Sequence, residues 1–488
     1  MEKYVQDYHK AKAFSGFLPG ISGMTGIPIW CFYVNRGQAI SGFGIGDKDH
    51  PMMEFFPANL AYQYVTTYGF RTFLKWEDAS GKHFVEPFQG VGKGVNRRMG
   101  LGMDSISLEE VRPEDKLRIH VQYATVSDSF FGGLIRNVEI TNEGEEELCI
   151  DVVDGMPAIL PYGATNSSFK EMGNLMRSWM EVSHLNQGVP YYHFRSSTQD
   201  EAEVSTLEGG FFFWGLGATD KDVHTIIDPK VLFDYQSDLS LPVRLEELGL
   251  EEIKKLNQYS ANKVPCGFQG LKKVLKPGEK CQIPSVYGYI GQYEQFLSFA
   301  KETALSDWVA AQFEISKSRI KEETDALETK TAYKEWDLYF RQCYLDNFLR
   351  GGKPLFLGNK KQEPYHVYSR KHGDQEREYN FFFIEPNYFS QGNGNYRDIN
   401  QNRRHDVSLD PRVGDFNIWM FYNLTQMDGY NPLVVNGIRY RFQEAEFENF
   451  SKTVEDFISK EQILKLEQVV KSEFSPGSLI RDLDLYAL

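Results

Sequence analysis

Leu117-Arg118-Ile119-His120-Val121-Gln122-Tyr123 alternates apolar and polar side chains without a break. Successive side chains of an extended chain point to opposite faces, so this stretch reads as a half-buried strand. Its surroundings follow the same pattern. Leu134 to Thr141, the polar turn Asn142-Glu143-Gly144 and Leu148 to Val153 read as a hairpin. Ile29 to Asn35, Gly69 to Trp76, Gly210 to Trp214 and Gln282 to Ile290 are further strands, separated by Gly and Pro clusters. Many short strands over residues 1–292 imply a large antiparallel β-sandwich.

The character changes after Gly291. Tyr293 to Asp325 is rich in Ala, Glu, Lys and Ser, so residues 293–330 read as a helical linker of one or two helices. Residues 331–488 read as mainly helical. Trp336, Tyr339, Phe340, Cys343, Tyr344 and Phe348 form one apolar stripe, ended by Gly351-Gly352. A long irregular stretch, Lys353 to Val413, precedes a helix that Asp415 can cap and that carries Ile418, Trp419, Tyr422 and Leu424. Two amphipathic stretches follow in the tail from Glu444 to Leu488. One is built on Phe447, Phe450, Val454, Phe457 and Ile458, the other on Ile463, Leu464, Leu466, Val469 and Val470. These helices are too few to close a toroid, and their wide stripes call for an interface with more protein.

Composition narrows the function. A net charge of −15, from 68 acidic and 53 basic residues, argues against nucleic acid or an anionic membrane as the main partner. No apolar run spans a membrane, and Met1 to Phe14 has no signal-peptide core, so a cytoplasmic location is expected. The five cysteines are scattered, with no C-x-x-C pair to build a disulfide or zinc framework.

The densest polar segment is Ser390-Gln391-Gly392-Asn393-Gly394-Asn395-Tyr396-Arg397-Asp398-Ile399-Asn400-Gln401-Asn402-Arg403-Arg404. It holds four asparagines, three arginines and two glycines, more donors and acceptors than an apolar core absorbs. Read as a Gly-bearing loop, it suits a ring of sugar hydroxyls. Arg397 offers a planar fork of donors and Asp398 paired acceptors. The competing reading is an Arg-Asp pair bracing an interdomain loop. His405-Asp406 can be drawn as a base and its orienter, although a surface pair is the simpler reading. Asp47, Asp49, His50 and Glu54 can be drawn as a metal site, but the flanking Gly42, Gly44 and Gly46 favour a solvated turn, and no metal is expected. Gly90-Val91-Gly92-Lys93-Gly94 lacks the ending of a phosphate loop and reads as a hairpin loop. Met53 to Gln63, aromatic and amide-rich, reads either as part of a ligand wall or as an ordinary sandwich edge.

Tyr396-Arg397-Asp398-Ile399-Asn400-Gln401 resembles the Arg-Asp-x-Asn-Gln motif of the cellobiose phosphorylase family (glycoside hydrolase family ninety-four). With Gln391 to Asn395 before it and Asn402-Arg403-Arg404 after it, the segment is similar to the 1,2-β-oligoglucan phosphorylase branch and to the phosphorylase-like domains of cyclic β-1,2-glucan synthases. Gln426-Met427-Asp428-Gly429-Tyr430-Asn431-Pro432-Leu433 adds to the likeness. So does the order of a sandwich, a helical linker and the start of an (α/α)6 barrel.

The resemblance implies phosphorolysis of a β-linked gluco-oligosaccharide with inversion. Inorganic phosphate is the co-substrate and nucleophile, one carboxylic acid protonates the leaving oxygen, and no cofactor is needed. It assigns donor-sugar binding to Arg397 and Asp398, with Gln401, Tyr396, Asn395, Arg403 and Arg404 as further substrate-binding candidates. Two departures follow. Asn402 stands where simpler members carry an aspartate. The family's Trp-Asn-Asp type segment, which bears the general acid, does not follow Asp398, and Asp406, Asp410, Asp415 and Asp428 fall too early to replace it. No catalytic residue is therefore assigned, and the acid is expected on a missing segment or a partner chain. The expected partners are that second polypeptide, or further copies in a homo-oligomer. A non-catalytic carbohydrate-binding or scaffolding subunit is the alternative, and a glycoside hydrolase on the same scaffold a weaker one.

Overall fold

The alternating stretch lies in the strand Leu117–Thr125, where Leu117, Ile119, Val121 and Tyr123 are fully buried. It pairs antiparallel with Ser105–Arg112 on one side and Gly132–Asn142 on the other. The computed structural model describes residues 3–90, 94–196, 207–357, 363–371, 375, 381–443 and 447–483. The middle of the Gly90-to-Gly94 loop and the ends of the Glu444-to-Leu488 tail lie outside the described residues.

Nine strands form the larger sheet, in the order Lys3–Gln6, Asn96–Leu101, Ser105–Arg112, Leu117–Thr125, Gly132–Asn142, Lys280–Ile290, Gly210–Gly215, Tyr191–Phe194 and Met180–Ser183. Five strands form the second, in the order His224–Ile226, Gly267–Leu275, Leu148–Met156, Arg71–Asp78 and Gly81–Val85. Their facing sides share one core, with Ile119, Val121, Leu134 and Val138 from the first sheet and Leu74, Ile150, Val152 and Leu271 from the second. The outer side of the nine-stranded sheet, at Ile135, Phe212, Trp214 and Val286, is covered by Phe296, Leu297 and Ala300 of the helix Tyr293–Glu302. The antiparallel sandwich is thus present, flanked by helices.

The hairpin expected across Asn142-Glu143-Gly144 is instead a crossover. Gly132–Asn142 belongs to the nine-stranded sheet, whereas Leu148–Met156 pairs with Gly267–Leu275 and Arg71–Asp78 in the other. Asn142 pins the turn between them. Its Nδ2 donates to the Leu275 carbonyl at 2.9 Å and to that of Glu146 at 2.8 Å, and its Oδ1 accepts from Gly144 N at 2.9 Å.

A charged group sits inside the sandwich. Arg136 and Asp154, both 0% exposed, face each other from the two sheets with Nη2–Oδ1 at 2.6 Å. Nη2 also donates to Gln38 Oε1 at 2.5 Å and Thr72 Oγ1 at 3.0 Å, and Nη1 donates to the Tyr123 hydroxyl. Thr72 Oγ1 in turn donates to Asp154 Oδ1 at 2.7 Å.

A third sheet, Ser15–Phe17, Trp30–Val34, Ile40–Gly44 and Pro51–Met53, carries the C-terminal region. The segment expected as a linker forms the two helices Tyr293–Glu302 and Leu305–Thr324. The second of these braces the junction through Arg319 Nε to Asp128 Oδ2 at 2.7 Å and Gln312 Oε1, which accepts from Ser127 N at 2.9 Å. Phe382 packs among Trp30, Phe32 and Phe55, and Ile384 N donates to the Gly46 carbonyl at 2.8 Å. The buried Arg370 donates from Nη2 to the carbonyls of Pro19 at 2.5 Å and Gly20 at 3.0 Å.

Three expectations about this region change. The helix Lys334–Gly351 ends on Gly352, whose φ of 89° is open to glycine, but Leu345, Phe348 and Leu349 are its buried residues while Trp336, Tyr339 and Phe340 are exposed. In the helix Phe416–Asn423, Ile418, Trp419 and Tyr422 face outward, Phe421 is buried, and the Asp415 side chain makes no cap bond. The tail packs as its own cluster, with Phe447, Phe450, Val454 and Ile458 against Leu466, Val470 and Leu483, leaving Phe457 and Leu464 exposed. Apart from Lys334–Gly351, with 18 residues, the α-helices described after residue 330 have 4 to 10 residues. Interleaved with short strands, they do not establish an (α/α)6 barrel or an arc of one.

Removing one partner of the interior pair leaves a charge without its counterpart, so Asp154→Ala should lower stability by about 3–5 kcal/mol. The double variant Arg136→Met, Asp154→Leu should recover most of that loss. Urea titration of both proteins reads the difference.

Candidate functional site

The polar segment is a loop only as far as Asn395. Gly394–Asn395 pairs with Val434–Val435, and the helix Tyr396–Arg403 begins immediately after. Gly394 lies against Ile399, where an added Cβ would sit 2.4 Å from Ile399 Cδ1, so the chain turns tightly into the helix. Two sides of that helix differ sharply. Ile399 and Arg403, four residues apart, are buried. Arg397, Asn400, Gln401 and Arg404 stand at i, i+3, i+4 and i+7, which is one helix face, and all four are exposed.

That face, with Tyr396 and Asn431, lines an open depression of about 610 Å³. The Arg397 side chain is 87% exposed, and its Nε donates to Asp398 Oδ1 at 3.2 Å. Asp398 Oδ2 accepts from Asn395 Nδ2 at 3.1 Å. Burial pulls the Asp398 carboxyl up, but hydrogen bonds from Asn395 and Arg397 and the charges of Arg397 and Arg350 outweigh it, and its pKa lies below the usual carboxylate range. It is therefore an ionised acceptor at the helix N-terminus, where negative charge is favoured. The side chains of Asn400, Gln401 and Asn431 have no hydrogen-bond partner among the described residues. Such a surface can hold a neutral polyol through many hydrogen bonds at once.

The structure separates the sequence candidates. Tyr396, Arg397, Gln401 and Arg404 line the depression, with Asn395 and Asp398 beside it. The Tyr396 hydroxyl itself donates to the Phe421 carbonyl at 2.8 Å. Arg403 lies beneath, its Nε donating to the Gly351 carbonyl at 2.8 Å and its Nη2 to Ser369 Oγ at 3.2 Å. It ties the site helix to the helix Lys334–Gly351. Asn402 sits at that same contact, and a Cβ on Gly351 would come within 3.1 Å of the Asn402 Cβ. Asn400 and Asn431 were not among the candidates. Asn400 stands in the Arg-Asp-x-Asn-Gln motif, three residues after Arg397, and Asn431 in the Gln426-to-Leu433 segment, but neither stretch shows that the two lie side by side.

His405 and Asp406 do not form a base and orienter. His405 is exposed and accepts from Arg404 Nε at 3.2 Å, whereas Asp406 is buried and binds His366 Nε2 at 2.7 Å and Asn417 Nδ2 at 3.0 Å. Burial and the nearby Arg403 push His366 down to about 4, against the opposing pull of Asp406. The ring is neutral, with Nε2–H donating to the carboxylate. Asp47 Oδ1 accepts from Asp49 N and His50 Nδ1, both at 2.8 Å, in a closed turn, and no group of three metal-ligating side chains occurs among the described residues. The five cysteines are free. No helix among the described residues is long and apolar enough to cross a membrane.

No family model matches the chain, and no curated protein matches it. Among solved structures, a polysaccharide lyase aligns at 13% identity and a TM-score of 0.31, over 56% of this chain and 33% of its own. A galactose mutarotase-like protein from Clostridium acetobutylicum aligns at 7% and 0.30, over 60% of this chain and 99% of its own. A human-microbiome protein carrying the name kojibiose phosphorylase aligns at 8% and 0.24, over 73% of this chain and 32% of its own. The chain thus spans about a third of the lyase and of the protein named as a phosphorylase. Likenesses this weak decide neither family nor activity.

The depressed His366 pKa has a consequence for stability. As pH falls, the unfolded chain takes up this proton first, so the contribution is full above about 6.5 and is lost as pH falls toward 4. His366→Gln keeps a donor toward Asp406 and cannot titrate. Between those pH values the natural protein should lose on the order of 3 kcal/mol more stability than the variant, read from urea midpoints at each pH. Parallel profiles would show that the ring is charged in the fold.

Proposed function

We propose that this chain forms the sandwich, linker and one wall of the donor-sugar site of an inverting phosphorylase acting on β-linked gluco-oligosaccharides. On this reading the general acid, the phosphate site and the rest of an (α/α)6 barrel come from further polypeptide. The observation that carries it is the helix face of Arg397, Asn400, Gln401 and Arg404, held open to solvent beside an ionised Asp398. A guanidinium fork, a carboxylate and uncommitted amides are the groups that read adjacent hydroxyls.

Two further observations support a divided site. Three of the nearby acids are unsuited to donating a proton. Asp398 and Asp410 are both held ionised, Asp410 by the hydrogen bonds from Arg412, and Asp406 is bound to His366 beneath the surface. Trp419 and Tyr422 on the helix Phe416–Asn423, and Tyr430 and Leu433 flanking Asn431 in the sequence, are exposed, the last at 86%. Exposed aromatic and apolar side chains in such number suit a surface that packs against protein.

In the reaction, Arg397 and Asp398 fix the donor sugar. Phosphate attacks the anomeric carbon from one face while the absent acid protonates the leaving oxygen on the other. No protein base is required, because phosphate arrives already ionised. The same surface also fits the alternative, a binding subunit that holds the sugar without cleaving it.

Phosphate-dependent release of glucose 1-phosphate from β-1,2- and β-1,4-gluco-oligosaccharides separates these readings. The chain should be inactive alone and active with the polypeptide encoded immediately downstream. Arg397→Ala should weaken sugar binding in the active assembly by about tenfold or more. Turnover by the isolated chain would refute the divided site, and binding without turnover in any combination would leave the binding subunit.

A further inference from the structure

A second concavity lies far from Arg397 in the sequence, built by the sandwich and its flanking helices. Its volume is about 790 Å³, within the range of small-molecule sites. The helix Ala58–Tyr68 supplies one wall. Phe56, Tyr64 and Tyr68 are grouped there, with ring centroids 5.0 Å apart for Phe56 and Tyr64 and 6.0 Å for Tyr64 and Tyr68. Lys170, from the helix Asn166–Met176, stands 5.6 Å from the centre of the Phe56 ring.

The charges in this cavity are unevenly paired. Asp228 is buried and accepts from Lys263 Nζ at 2.6 Å, from Tyr259 N and from Lys230 N. Asp234 binds Arg244 at 2.7 Å. The side chains of Arg177 and Lys230, which also line the cavity, have no acidic partner among the described residues. Aromatic faces suit the apolar side of a sugar ring, and Glu54 on the same wall can accept from its hydroxyls. Two unpaired cations beside them favour a ligand that also carries negative charge.

We propose that this cavity binds an anionic saccharide, its ring against Tyr64 and Tyr68 and its carboxylate or phosphate at Arg177 and Lys230. The site is independent of the Arg397 depression and of the reaction assigned to it.

Calorimetry on the full chain tests this with three probes, a uronic-acid disaccharide, glucose 6-phosphate and neutral cellobiose, the last scored in the Arg397→Ala variant so that binding at the depression proposed above does not enter the comparison. The first two distinguish a carboxylate from a phosphate as the recognised group, and either binding supports the proposal when cellobiose binds at least about tenfold more weakly. The double variant Arg177→Ala, Lys230→Ala should lose at least about tenfold in that affinity. Tyr64→Ala should weaken it as well, and Arg397→Ala should leave it unchanged. Arg177, Lys230 and Tyr64 are exposed, so thermal unfolding should show the variants folded. Absence of binding by both anionic probes at millimolar concentration, equal binding of cellobiose, or unchanged affinity in the double variant would overturn the proposal.

Discussion

The guanidinium of Arg136 is the constraint on which the sandwich is organised. A charge removed from water inside a β-core is tolerable only when its hydrogen bonds are met. Here they are met from separate pieces of the chain: Asp154 and Thr72 on the five-stranded sheet, Tyr123 on the nine-stranded sheet, and Gln38 on the turn before Ile40–Gly44. A register slip of one residue in Gly132–Asn142 would carry Arg136 to the face where Ile135 packs on the helices and strand all four partners. The pair therefore selects one alignment of the sheets more than it adds net stability.

That alignment matters for the site because the third sheet, tied in through Gln38, is the platform for the C-terminal region. Phe382 and Ile384 dock on it, Arg370 grips the carbonyls of Pro19 and Gly20, and the segment leading to Asn395 is laid down from there. The helix Tyr396–Arg403 is then fixed from below by Ile399 and by Arg403 on the Gly351 carbonyl. Its polar face is left outward because its other face is already anchored. The helix that carries these donors and acceptors is thereby anchored, which limits the backbone entropy lost if a ligand is held there, as proposed above.

The sandwich was legible in the sequence because strand alternation reports burial directly, as Leu117 to Tyr123 does. Which sheet a strand joins was not legible. Leu134 to Val153 has the composition of a hairpin, but its second half pairs with Gly267–Leu275 and Arg71–Asp78 in the opposite sheet, with Asn142 holding the Leu275 carbonyl at the crossover. The stripes of Trp336 and Ile418 are apolar, but a period cannot say whether a face is covered, and the side chains buried on those helices are Leu345, Phe348, Leu349 and Phe421. The site helix was read as a loop because Asn, Asp and Gly favour turns and a helix this polar shows no core stripe beyond Ile399. The motif gathered Arg397, Asp398 and Gln401, which the fold places at the depression, together with Arg403, which lies beneath the surface on a carbonyl some fifty positions earlier. His366 and Asp406 lie 40 residues apart and are joined only by the fold.

Hydrogen exchange of the chain together with its downstream polypeptide, with and without a β-gluco-oligosaccharide, tests the central claim most directly. The account expects the sugar to slow exchange in residues 394–404 and around Asn431, and the polypeptide alone to slow it around Trp419 and Tyr422. Sugar-dependent protection confined to other parts of the chain, with 394–404 exchanging as before, would contradict it.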